Sequence, residues 1–343
     1  MSTNQSNGVT SRTRDGIFSF LQQVPLSDPN VSFKGKNILV TGANTGLGFE
    51  AANKFVALDA SRVILGVRDL EKGNHAKSMI EERTGKRDKV EVWKLDMNSY
   101  DSIREFASRA SDLEHLDVAV LNAGVYMVNY EVSNYGWEET LQVNVLSTTL
   151  LGLLLIPKLR SSKTPDSLPV LEFVSSGNHE KVTLSEEQRS ADSILQMFNK
   201  ADTYNASLQY RTSKLFLMYS VQTIARLAKS PNSSEELDFL VTSVCPGYCQ
   251  SDLSRGHTGF IKNTIKVLLN ILVLRTTEEG SRTLVSGTTL GQNAHGRFWQ
   301  NDILKQPSPL LVGDEGGNMR QKTWKEIVEA LKKDNPDINE IIL

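Results

Sequence analysis

The chain has 343 residues, 39% of them hydrophobic and 23% charged, with a formal net charge of −2. That composition fits an ordinary globular protein and excludes a disordered or collagen-like one; with no block of basic residues, it also argues against nucleic acid as a partner. Two cysteines, Cys245 and Cys249, are too few for a disulfide framework and point to a reducing, cytoplasmic setting.

Residues 1–34 are polar apart from a patch at 17–21, and read as a flexible arm with no apolar core of signal-peptide length. The stretch around which the chain is organised follows. Ile38, Leu39 and Val40 run into Thr41-Gly42-Ala43-Asn44-Thr45-Gly46-Leu47-Gly48, and a helical apolar stripe of Phe49, Ala52, Phe55, Val56 and Ala57 comes next. A buried strand, a glycine turn and a helix start can cradle a pyrophosphate, because free N–H groups face the ligand and missing side chains let the backbone come close. The spacing is Gly-x3-Gly-x-Gly rather than G-x-G-x-x-G, so alone it reads as either a nucleotide site or a tight structural turn.

Strands are then predicted at 62–67, 90–95, 116–121, 170–174 and 239–245. Helices are predicted at 70–83 with Asp69 as N-cap, at 100–110, at 136–159 ending near Pro157, and at 210–227. This alternation implies an α/β fold, a doubly wound parallel sheet with helices on both faces, and one domain over 35–312. Residues 161–169 and 230–236 read as polar connections. The apolar run 143–159 is interrupted by polar residues and is shorter than the ~20 residues of a membrane span; a buried interior or interface helix fits it. Residues 177–207 and 251–275 break the rhythm, and long connections in such sheets are more often functional than idle. In the second, Ile261, Ile265, Leu268 and Leu272, together with Val267, Ile271 and Leu274, fall at helical spacing. Three readings stay open there: a core or subunit-contact helix, a lid over an apolar substrate, or a membrane-surface anchor. Residues 313–343 read as a C-terminal helical extension.

Tyr210 and Lys214 lie at i and i+4, on one helix face. A phenol titrating near pH ~10 is a poor acid–base catalyst, and a neighbouring ammonium favours its ionised form. Ser175 and Ser176 end a strand at its carboxyl edge, where ligands bind. Each of these pairs, and Asn144 inside the long helix, has an ordinary structural reading when taken alone. His179 reads as a loop histidine without function and the cysteines as core or wall residues; no metal-ligand spacing is present.

Together, Thr41-Gly42-x3-Gly46-x-Gly48, Asn122-Ala123-Gly124, Asn144, Ser175-Ser176, Tyr210-x3-Lys214 and Pro246-Gly247 occur in one order. This resembles the short-chain dehydrogenase/reductase family over about residues 36–299. Gly66-Val67-Arg68-Asp69 and Gly296-Arg297-Phe298-Trp299 … Trp324 are similar to its retinol-dehydrogenase-like branch and to fungal biosynthetic-pathway reductases. The resemblance implies a Rossmann-type domain whose cofactor turn is lined by Gly42, Asn44, Thr45, Gly46, Leu47 and Gly48. Asp96 would bond the adenine, and Asn122, Ala123 and Gly124 would support the sheet edge beside the cofactor. Pro246, Gly247 and Ser251 would lie beside the nicotinamide, with Ser251 bonding the carboxamide. Tyr210 would be the general acid, Ser176 would polarise the carbonyl, Lys214 would also hold the nicotinamide ribose, and Asn144 would anchor a water linked to Lys214. The stretch between Ser176 and Tyr210 is longer than the family's usual one.

Where an acidic residue would bind the ribose hydroxyls of NAD, this chain has Val67 followed by Arg68. A guanidinium matches a 2′-phosphate, so the expected cofactor is NADP(H). The expected activity is interconversion of a ketone or aldehyde and its alcohol, on a small-to-medium apolar substrate of polyketide type, by a cytoplasmic protein whose oligomeric state, a homodimer or not, the sequence leaves open. Two other classes remain: a non-redox isomerase, dehydratase or cyclase on the same fold, and a cofactor-sensing interaction protein. Substrate identity, stereochemistry and direction are not encoded legibly.

Overall fold

A computed structural model describes residues 26–230, 233–249 and 274–342. The apolar patch at 17–21, Ser251, and the predicted lid up to residue 273 lie outside the described residues. Leu26 and Phe33 are buried, and Phe33 packs edge-on against Phe55 at 4.9 Å. The last part of the expected arm therefore packs on the domain.

Six strands follow the βαβ rhythm: β1 (Asn37–Thr41), β2 (Arg62–Val67), β3 (Val90–Lys94), β4 (Val118–Leu121), β5 (Val170–Val174) and β6 (Leu240–Cys245). They pair in parallel in the order β3-β2-β1-β4-β5-β6. The order reverses beside β1, and at such a switch point the carboxyl ends of neighbouring strands open a crevice. β7 (Phe298–Gln300) extends the sheet in parallel beyond β6, and β8 (Ile303–Lys305) closes that edge antiparallel. The expected doubly wound parallel sheet is present, with one antiparallel strand at its edge. Asn301 and Asp302, at φ of 56° and 55°, make the two-residue turn that joins β7 to β8; positive φ at both positions is the signature of a type I′ hairpin turn.

Alternate residues of each strand serve opposite layers. Ile38, Val40, Val63, Leu65, Val118 and Val120 pack with α1 (Gly46–Ala57), α2 (Leu70–Thr84) and α6 (Thr277–Ser286). Leu39, Ile64, Ala119, Leu121, Leu171 and Phe173 pack on the other face with α3 (Tyr100–Ser111), α4 (Thr148–Ser161), α5 (Ala206–Leu227) and α7 (Gly313–Lys332). Asp69 caps α2 as expected, accepting from the backbone N–H groups of Glu71 and Lys72.

Three local readings are corrected. The long helix does not stop near Pro157; it runs to Ser161 with Leu153, Leu155, Ile156 and Leu159 buried, so burial outweighs the lost N–H donor. It is also not uniform. Gln142–Ser147 forms a π-helical turn around Asn144, a distortion common at functional sites. The apolar residues of Glu139–Ser161 are packed inside the protein. Tyr210 does not open its helix: Asn205 caps α5 by accepting from Leu208 N, one turn earlier. The expected connection 230–236 contains an antiparallel pair, Lys229–Ser230 with Ser233–Leu237. The polar stretch 177–207 folds into short helical turns, with Ile194, Leu195 and Phe198 buried.

Candidate active site

The glycine turn sits between β1 and α1. Gly42 and Gly46 have φ of +66° and +62°, which side chains rarely adopt. A Cβ on Gly48 would lie 2.5 Å from Asn122 Nδ2 and 2.6 Å from the Gly42 carbonyl oxygen. Asn122 Nδ2 donates to the Thr41 carbonyl at 2.9 Å, and Ala123 N donates to Thr41 Oγ1 at 2.9 Å. The Asn122-Ala123-Gly124 segment therefore straps the turn from β4. Thr45 occupies the N-cap of α1 without making a side-chain cap bond, in contrast to Asp69 at α2 and Ser99 at α3. With Asn44 and Leu47 half-buried beside it, this turn fits a pyrophosphate on a helix N-terminus.

Arg68 is exposed just beyond β2. Its carbonyl accepts from Lys94 Nζ at 2.7 Å. The end of β3 thus adds a second cation, which no local pattern in the sequence revealed. Asp96 lies past the same strand end, where its Oδ1 accepts from Asn98 N at 3.0 Å and shapes the turn into α3.

The predicted catalytic residues converge at the carboxyl end of β5. Ser176 is half-buried and lies within hydrogen-bonding reach of the Tyr210 phenol. Ser175 points elsewhere: it is buried, and its Oγ has no partner among the described residues. Tyr126 packs against Tyr210 with ring centroids 5.3 Å apart. Lys214 Nζ lies 5.7 Å from the centre of the Tyr210 ring and donates to the Val174 carbonyl at 2.9 Å. Desolvation lowers Lys214 to about 8. Burial pushes the Tyr210 phenol up, with Cys245, Tyr126 and Tyr248 adding to the rise and Ser176 opposing it. The expected lowering of that phenol by Lys214 is corrected here: desolvation dominates, so the phenol keeps its proton at neutral pH.

Asn144 is 1% exposed. Its Oδ1 accepts from Val125 N at 2.9 Å, and its Nδ2 donates to the Val125 carbonyl at 2.9 Å and to Ser213 Oγ at 3.2 Å. Gly124 lies between it and Lys214: a Cβ there would sit 3.1 Å from Asn144 Oδ1 and 3.8 Å from Lys214 Nζ. On the far wall, Gly247 has φ +83°, and the Pro246 carbonyl accepts from Arg275 Nη1 at 3.0 Å. Cys249, half-buried, donates from Sγ to the same carbonyl, and both cysteines are free thiols. His179, expected as an idle loop residue, is 1% exposed, with Nδ1 2.7 Å from the Ser176 carbonyl oxygen. Among the described residues no group of His, Cys, Asp and Glu could hold a metal.

Residues 36–166 match the short chain dehydrogenase family. The chain is 41% identical to the short-chain dehydrogenase/reductase phmF of Phaeosphaeria nodorum over 337 residues, covering 97% of each. It is equally 41% identical to the short-chain dehydrogenase/reductase ffsI of Aspergillus flavipes, with 97% of each covered. A crystal structure of a short chain dehydrogenase from Shigella flexneri complexed with NADP superposes with a TM-score of 0.56 at 22% identity, covering 82% of this chain and 100% of that one. That likeness shows the same fold, a mostly parallel sheet between helical layers. Identity of 41% to these relatives over nearly the full length of each makes the chain a member of the short-chain dehydrogenase/reductase family of oxidoreductases.

Proposed function

We propose that the protein is an NADPH-dependent reductase that interconverts a ketone or aldehyde and its alcohol on a small-to-medium apolar molecule, as a tailoring step on a polyketide-type metabolite. The observation that carries this reading is the meeting of Ser176, Tyr210 and Lys214 at the end of β5, next to the strapped glycine turn. Bound NADPH supplies the hydride. The chain's residues do the rest. Tyr210, held protonated by burial, donates its phenolic proton to the carbonyl oxygen. Ser176 Oγ accepts from Asn178 N at 3.3 Å, so its own hydrogen is free to turn towards the same oxygen. Donors aimed where negative charge develops favour the transition state over the ground state. Lys214 keeps an ammonium 5.7 Å from the centre of the Tyr210 ring and ties α5 to the strand end. Arg68, with Lys94 beside it, supports the choice of a 2′-phosphate.

The test is a carbonyl panel with purified protein that follows loss of NADPH absorbance and product mass together. Equimolar NADPH loss and alcohol formation is the expected result. Product formed without cofactor turnover would move the assignment to an isomerase, dehydratase or cyclase on the same fold.

A further inference from the structure

Ser176 stands at a strand end, where backbone rotation would swing its hydroxyl away from Tyr210. It is the N-cap of the 3-10 turn Gly177–Lys181, with extended backbone at φ −150° and ψ 139°. The peptide unit joining Ser176 to Gly177 is gripped on both sides. Its carbonyl accepts from His179 N at 3.1 Å and from His179 Nδ1 at 2.7 Å. Its N–H, that of Gly177, donates to Cys245 Sγ at 3.3 Å. Turning this plane about the Ser176 ψ angle breaks the bonds on both sides.

The imidazole that makes the shorter bond is itself fixed. It is 1% exposed and stands edge-on to Phe298, centroids 4.8 Å apart at 89°. Phe298 belongs to β7 and pairs with Ser243 of β6, so the sheet holds the ring. The partner is a carbonyl, an acceptor only, so Nδ1 carries the hydrogen and Nε2 is the bare nitrogen. Desolvation lowers the imidazole's pKa and keeps it neutral.

The geometry points to His179 as a positioning residue, whose Nδ1–H locks the Ser176–Gly177 peptide plane and thereby aims the Ser176 hydroxyl at the site beside Tyr210. It touches no reacting atom. The inference rests on the role proposed above for Ser176. A histidine that merely filled the core would stabilise the fold without any coupling to Ser176.

A double-mutant cycle on the full chain separates the two, following NADPH oxidation with the carbonyl that the panel turns over. His179→Leu keeps volume and removes the donor; His179→Asn restores an N–H near the place of Nδ1. The Leu variant is expected to lose about tenfold in kcat, the scale of one positioned hydrogen bond, with KM for NADPH unchanged. The Asn variant is expected within about threefold of wild type. In a Ser176→Ala background, His179→Leu should add no further loss. Losses that multiply across the cycle, or a Leu variant with normal kcat, overturn the inference. A fully active Ser176→Ala protein overturns the role of Ser176 instead. Should the Leu variant not fold, 15N chemical shifts of the wild-type imidazole decide: Nδ1 protonated is expected, and the Nε2–H tautomer would refute the lock.

Discussion

Lys214 Nζ donates to the Val174 carbonyl at 2.9 Å. Val174 is the last residue of β5 and Lys214 sits one turn after Tyr210, so this bond sets the strand end that carries Ser176 against the helix that carries the phenol. Holding a cation there costs stability. The folded state lowers Lys214 to about 8 from 10.5, so between those values the unfolded chain binds more protons than the folded one. The penalty is whole below pH 8 and fades as pH rises towards 10.5, by about 1.4 kcal/mol for each pH unit crossed. Relative to Lys214→Met, the wild type should gain stability across that window. Denaturant midpoints of both proteins at pH 7 to 10 measure it, and a constant difference would refute it.

Tyr210→Phe keeps the ring and its contact with Tyr126 while removing the proton. Turnover should fall by ~10²–10⁴-fold, the usual worth of general acid catalysis, and the dissociation constant for NADPH should hardly change. Single-turnover hydride transfer checks the first and fluorescence titration the second. A Phe variant with near-normal turnover removes Tyr210 from the mechanism.

Arg68 and Lys94 should act together on cofactor choice. Arg68→Ala is expected to weaken NADPH binding by about tenfold or more and NADH hardly at all, as loss of a charge-assisted phosphate contact predicts. Lys94→Ala removes both its own charge and the bond to the Arg68 carbonyl, and should shift the NADPH/NADH ratio in the same direction. Calorimetric titration with each cofactor decides; equal losses for NADPH and NADH rule out a 2′-phosphate site here.

Glu172 lies fully buried in β5, paired in register with Thr242, and its Oε1 has no partner among the described residues. Gly287 makes room for it, since a Cβ there would collide with its carboxyl oxygen. Desolvation raises its pKa well above 4.5, so the folded state holds the proton that the unfolded chain releases. Its contribution to stability therefore falls as pH rises from 4.5 towards the folded value. Glu172→Gln keeps shape and abolishes that titration. Its melting temperature should exceed that of the wild type by more at pH 8 than at pH 5. A gap independent of pH would show the carboxyl to be ionised in both states.

The sequence by itself determined the layer order and the glycine turn between β1 and α1, because both rest on short-range patterns: apolar runs bounded by turns, helical stripes, and glycines at fixed spacing. It also marked Tyr210 and Lys214, whose i, i+4 relation belongs to any helix. Tertiary structure decided what depends on partners distant along the chain. Of two adjacent serines just past the end of β5, Ser175 is buried while Ser176 lies beside the phenol and caps the following turn, a difference set by partners outside the pair. The Lys214 ammonium bonds the Val174 carbonyl, a partner 40 residues away, and desolvation reverses the expected shift of the phenol. Lys94 stands beside Arg68 only because β2 and β3 pair in register, Val67 opposite Lys94. The last case is His179: nothing near it in sequence separates an idle loop histidine from a buried one, and the difference comes from Phe298, which β7 delivers from the far end of the sheet.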